Sequence, residues 1–177
     1  MEEIFLDVET QRLSDEVPGG WNNIAAFGLA IAVTWDEVAG FRTWDERQAV
    51  ALVRELARFP RVIGFNVVRF DYTVLSAYEP KVQALLQPKT TDMMVDLSKR
   101  LGFRPPLESL AQATLGRSKA GEGTAAVRWF RAGEIDKVAA YCQEDVAITR
   151  DVFYHGRQHG HVLYLDHGRP TRVVVKW

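Results

Sequence analysis

The stretch IFLDVET, residues 4–10, decides how the rest of the chain is read. It is a short apolar run that ends in two acids one residue apart, Asp7 and Glu9. Polar residues bound the run, which predicts a buried strand over Glu3–Val8. Side chains at i and i+2 of a strand point to the same face, so the two carboxylates stand side by side. They repel each other unless positive charge lies between them, and a hard divalent cation with oxygen ligands meets that need. A solvated strand end explains the pair equally well when it is taken alone. The rest of the chain has to choose between them.

Outward from this strand, SDEVPGGW (14–21) reads as a turn-rich loop. The apolar, β-branched runs Ile24–Trp35 and Val38–Trp44 read as two strands, paired as a hairpin through residues 36–37. Asp45–Phe59 has helical spacing and is closed by Pro60. RVIGFN (61–66) is a short buried strand that feeds a loop, and Phe70–Tyr78 reads as a helix. Beyond Pro80 the pattern is helical: Thr91/Asp92 cap a helix ending at Gly102, and Leu107–Leu115 forms another, closed by Gly116. Ala125–Arg131 is short, and Glu134–His155 is long, with apolar residues recurring every three or four positions. The tail HVLYLDHGRPTRVVVKW (161–177) reads as a terminal β-hairpin. The expected fold class is α/β: a mixed β-sheet flanked by α-helices, in a single domain over 1–177.

Two later stretches carry acids in telling positions. In GFNVVRFDYTVL (64–75), Phe70 anchors a helix start in the core while Asp71 faces outward. Plain N-terminal capping by Asp71 is the bland alternative. In YCQEDV (141–146), Tyr141 and Asp145 are four apart and share one face of the long helix, while Val138, Cys142 and Val146 pack a neighbouring face.

Taken in order, D-x-E, N-x-x-x-F-D and Y-x-x-x-D resemble the three motifs of the DEDD exonucleases, which have a ribonuclease-H-like fold. The tyrosine in the third motif is similar to the DEDDy branch, found in family-B DNA polymerase proofreading domains and their stand-alone bacterial and archaeal relatives. The resemblance covers residues 3 to about 155. It implies a 3′–5′ exonuclease that releases nucleoside monophosphates from single-stranded DNA or RNA. It also implies two Mg²⁺ or Mn²⁺ ions, about 3.5–4 Å apart, held by Asp7, Glu9, Asp71 and Asp145. Asp7 would bridge both ions, Glu9 and Asp145 would hold the one that carries the attacking water, and Asp71 would serve the other. Tyr141 would orient or deprotonate that water. A free Tyr titrates near ~10, which makes it a poor base unaided.

Substrate contacts are read with their alternatives. Asn66 either fixes the loop before Asp71 or touches the terminal nucleotide. Arg117 and Lys119, in the Gly-rich segment 116–123, are candidate phosphate contacts or members of a solvated loop. Trp21 either stacks on a base or packs. Asp92 is read as a helix cap alone. The histidines at 155, 159, 161 and 167 straddle a helix end and a hairpin, and no second metal site is expected there.

Composition bounds the classes. The formal charge of −1 gives no global nucleic-acid signature. Residues 1–80 carry a net −6 and residues 81–137 a net +4. That contrast reads as a metal site beside an anion-binding face, or as ordinary surface variation. A single cysteine excludes a disulfide framework and a thiolate zinc cluster. No apolar run is long enough to span a membrane, so a cytoplasmic protein is expected. The apolar strand of the terminal hairpin allows a homodimer or simply covers the core. A catalytically silent module that binds nucleic acid or a protein, and an endonuclease on the same fold, are the competing functional readings. DNA and RNA present the same phosphate to the metals, and the sequence leaves the sugar open.

Overall fold

The computed structural model describes residues 2–118 and 123–177. Strand β1 (Glu3–Thr10) lies at the centre of a five-stranded sheet of order β3-β2-β1-β4-β5. β2 (Leu29–Asp36) pairs antiparallel with β1, and β3 (Gly40–Asp45) antiparallel with β2. β4 (Arg61–Gly64) and β5 (Thr90–Asp92) continue the sheet in parallel on the other side of β1.

The period of two along β1 feeds two cores. Ile4, Leu6 and Val8 enter the cluster beneath α1 (Ala49–Arg58), α2 (Asp71–Leu75) and α3 (Val82–Leu86). Phe5 points the other way, into the cluster under α4 (Met93–Leu101), α5 (Leu107–Leu110) and the long α7 (Ile135–His159). Each fully buried Leu, Ile or Phe contributes about 1.5–3 kcal/mol of transfer free energy. α6 (Ala125–Arg131) packs on α7. The terminal hairpin, β6 (His161–Asp166) with β7 (Arg169–Val174), forms its own two-stranded sheet. It buries Val162, Tyr164 and Val173 in the α7 cluster. The mixed sheet, the flanking helices and the terminal hairpin are the architecture expected from the sequence. Among the described residues no helix is long and apolar enough to cross a membrane.

Three local expectations are corrected. Residues 24–27 form a 3₁₀ turn, and β2 starts only at Leu29. Gly28 separates the two with φ +73°, and Ile24 and Phe27, three apart, share the turn's buried side. An apolar run fits either periodicity over so few residues. The three-residue β5 stands where a helix cap alone was expected, because a strand this short leaves no alternation to read. The helix from Leu107 changes at Ala111 into a π turn that runs to Leu115.

The parallel pairing between β1 and β4 covers only Glu3–Phe5 against Arg61–Ile63. Beyond it β4 leaves the sheet at Gly64. A Cβ there would fall 2.1 Å from Val67 Cγ1 and 3.0 Å from the Leu6 carbonyl oxygen. Only glycine lets the departing chain pass so close to β1. The carboxyl end of β1 therefore opens into a crevice, the usual position for a ligand in an open α/β sheet.

Candidate active site

That crevice is a cleft of about 700 Å³. Asp7, Glu9, Asn66, Asp71, Tyr141 and Asp145 all line it. Three segments far apart in sequence thus converge on one cleft. Asp7 and Glu9 share the Phe5 face of β1, which is the face that α7 covers. There the Cys142 thiol lies 3.3 Å from the Asp7 backbone oxygen and 3.4 Å from Asp7 Oδ2. Tyr141 and Asp145, one turn apart on α7, are 5% exposed each. The Tyr141 ring packs edge-on against Trp129 of α6, with centroids 5.8 Å apart.

Asp71 differs from expectation. It does not face solvent: it is 2% exposed and sits in the wall of the cleft, while Phe70 is the half-buried residue beside it. Burial holds the Asp71 carboxyl well above the ordinary carboxylate range, and the charges of Asp7 and then Asp92 push it further. The backbone N–H groups of Asp71 and Val8 partly counter them. Asp71 Oδ1 is buried with no hydrogen-bond partner. A buried carboxylate oxygen left in this state is costly, and a bound cation removes that cost.

The donor set fits a hard divalent ion. A carboxylate oxygen from each of Asp7 and Glu9 lies, with Cys142 Sγ, within a mutual 4.8 Å. Burial, followed by the charges of Asp7, Glu9 and Asp145, keeps the thiol well above its usual range. It stays protonated and donates to Asp7. That leaves the carboxylate oxygens of Asp7 and Glu9, with Asp71 and Asp145 lining the same cleft, a set of hard oxygen donors that would suit Mg²⁺ or Mn²⁺ better than a thiophilic metal.

Asp92 does more than cap α4. Its carboxylate accepts from Val95 N at 3.3 Å as the cap, and also from Asn66 N at 2.9 Å and Val68 N at 3.0 Å. It thereby fixes the loop that delivers Asp71. Asn66 takes a left-handed φ of +67° in this loop, and its side-chain oxygen accepts from Arg104 Nη2. Its backbone N–H is one of the groups Asp92 holds, and its position in the cleft wall leaves a substrate contact open to it. Asp92→Ala is expected to destabilise the fold by about 1–3 kcal/mol, because it leaves three part-buried N–H donors without their acceptor. Urea unfolding measures this, and a variant as stable as wild type would refute the role.

Of the two basic candidates, one can be placed, and it is not brought to the cleft. Arg117 is half exposed, pairs with Asp151 at 2.7 Å and does not line it. Lys119 lies outside the described residues. Trp21 does line the cleft, 60% exposed. It meets Phe27 edge-on at 5.6 Å and Phe70 at 6.2 Å between centroids, so it packs and presents a face at once. Sequence reasoning missed Cys142 as the neighbour of Asp7, Asp92 as the loop anchor, and Arg104. No spacing rule links these residues to partners 26 to 135 positions away. The rings of His155 and His159 lie 4.4 Å apart, tilted by 44°, at the end of α7, and neither lines the cleft.

No curated protein matches the sequence. Among solved structures, the chain is similar to the family B DNA polymerase from the hyperthermophilic archaeon Pyrobaculum calidifontis, with a TM-score of 0.61 and 13% identity over 87% of this chain. The match spans 24% of the polymerase chain, and at this identity the likeness is one of fold. The family model for the RNase_H superfamily matches residues 4–155, a span that holds all four carboxylates and Tyr141. The chain belongs to the RNase_H superfamily.

Proposed function

We propose that residues 1–177 form a single-domain, two-metal 3′–5′ exonuclease of the DEDDy type, acting on single-stranded DNA or RNA. The observation that carries this reading is the convergence of Asp7, Glu9, Asp71, Asp145 and Tyr141 on one cleft at the carboxyl end of β1. Its volume falls within the range of about 300–1,000 Å³ that encloses a small ligand. That range suits a strand terminus of one or two nucleotides.

Asp7, Glu9, Asp71 and Asp145 would hold two Mg²⁺ or Mn²⁺ ions, which when bound screen the phosphate and lower the pKa of an attacking water. Asp7, on the central strand, would be shared by both ions, Glu9 and Asp145 would hold the one that carries the water, and Asp71 would serve the other. Tyr141, fixed by Trp129, positions the water on the terminal phosphorus. Attack breaks the P–O3′ bond, releases a nucleoside 5′-monophosphate and leaves a new 3′-hydroxyl. Tyr141→Phe is expected to lower kcat about 10²-fold with KM little changed, in the lower range for a lost proton-handling group. Steady-state kinetics on a short oligonucleotide checks this. An unchanged kcat would remove Tyr141 from the chemistry.

The reading itself is tested with DNA and RNA strands labelled at the 5′ end, in Mg²⁺, Mn²⁺ or EDTA. A metal-dependent ladder that shortens from the 3′ end supports it. Cleavage of a circular strand would point to an endonuclease. Intact substrate in every condition would favour the silent binding module.

A further inference from the structure

Adjoining the cleft at Trp21 lies a second cavity of about 380 Å³, lined by Trp21, Ile24, Asn66, Arg69, Phe70 and Arg104. The two cavities share one wall, made of Trp21, Asn66 and Phe70. Their chemistry is opposite. Five carboxylates line the cleft, those of Asp7, Glu9, Asp15, Asp71 and Asp145, against the single guanidinium of Arg12, whereas no carboxylate lines the second cavity. The second cavity carries two exposed arginines instead. Arg104 donates to Asn66 Oδ1, a neutral acceptor, so its positive charge is not neutralised there. Among the described residues no acidic side chain is recorded within ion-pair distance of Arg69 or Arg104. An exposed indole standing between an acidic cleft and a basic groove is the arrangement used to hold a single strand: bases stack on the ring while phosphates meet the guanidinium groups.

We infer that this groove binds the single-stranded substrate upstream of the scissile bond. One base stacks on Trp21, and backbone phosphates contact Arg69 and Arg104. The inference rests on the exonuclease reading and adds the path of the strand. It assigns to Trp21 the stacking role. It also moves the phosphate contacts from Arg117 to Arg69 and Arg104. The carboxylates then face only the phosphate that the metals screen, and the rest of the polyanion runs over basic surface.

Binding tests this without requiring turnover. The probes are fluorescein-labelled 12-mers of DNA and of RNA, followed by anisotropy in EDTA with the full chain. Arg69→Glu is expected to weaken binding of the 12-mer about tenfold or more and to lower the salt slope, since about 0.7 of a counterion is released per phosphate contact to a single strand. Trp21→Ala is expected to weaken it about tenfold, and Trp21→Phe to recover most of that loss, because a benzene ring still stacks. The reversal Arg58→Glu, on an exposed α1 residue that lines neither cavity, controls for net charge and is expected to leave the Kd within about twofold. Equal weakening by Arg58→Glu, or wild-type Kd values for Arg69→Glu and Trp21→Ala, would overturn the groove. So would a wild-type protein that binds neither strand. Specific binding without any nuclease ladder would keep the groove and overturn only the exonuclease reading. The tighter of the two 12-mers identifies the preferred sugar.

Discussion

Asp7→Asn is expected to lower kcat/KM for strand degradation by at least about 10³-fold, equivalent to about 4 kcal/mol of barrier, while the protein stays folded. Asp7 lies on the central strand, half-buried, with Glu9 on the same face and the Cys142 thiol against its oxygen. Asn has the same shape, and its side-chain oxygen still accepts from that thiol. The packing of α7 on β1 is therefore kept, and only the charge is lost. In the proposed site that charge would serve a metal position shared by both sides of the reacting phosphate. Its removal also relieves Asp71, whose carboxyl is pushed up by Asp7 after burial itself. The variant should consequently be no less stable than wild type in EDTA. Rates on a 5′-labelled strand at saturating Mn²⁺, together with circular dichroism, decide it. A folded variant within tenfold of wild type would place Asp7 outside the chemistry.

How much of this was legible in the sequence depends on how local each feature is. The apolar run from Ile4 to Val8 and the paired acids at Asp7 and Glu9 needed only neighbours two residues away, and β1 forms there, running two residues beyond the expected end to Thr10. The Tyr141/Asp145 pair needed one helical turn, and α7 supplies it, running one turn beyond the expected end to His159. The limits lay where two periodicities compete over a few residues. Ile24–Phe27 satisfies strand propensity but coils into a 3₁₀ turn, because Gly28 provides the left-handed break and Phe27 then reaches the core at 2% exposure. Asp71 shows another limit. Its position at a helix start was readable, but its burial depends on β4 leaving the sheet at Gly64 and on Asp92 holding the intervening loop from 24 and 26 residues away. Arg117 fails for the same reason in reverse. A basic residue in a Gly-rich stretch looks available, but the fold sets it against Asp151 of α7.

Asp71→Asn is expected to act in opposite directions with and without metal. The wild-type carboxylate is 2% exposed, lies near Asp7 and Asp92, and has one buried oxygen without a partner. An unmet buried polar group costs about 1–3 kcal/mol, and more when charged. The neutral isostere keeps a polar atom there but removes the charge beside Asp7 and Asp92, and should accordingly raise metal-free stability by about 1 kcal/mol. The pH dependence has a definite sign. The unfolded carboxyl titrates near ~3.9 and the folded one higher, so between these values the folded state binds more protons. In EDTA the contribution of Asp71 is fully present below ~3.9 and is lost as pH rises through the folded value. Wild type should therefore weaken over that window more than the variant does. Adding Mn²⁺ reverses the order. A ligand at a hundred times its Kd stabilises the state that binds it by about 2.7 kcal/mol, and the variant, short of one anionic ligand, should recover only part of this and lose most of its activity. Urea unfolding of both proteins from pH 5 to 8, in EDTA and in Mn²⁺, reads the two effects together. Equal stabilisation of both proteins by Mn²⁺ would remove Asp71 from the metal site. A variant less stable than wild type in EDTA would mean that other contacts already satisfy the buried carboxylate, and the case for a cation at that oxygen would fall with it.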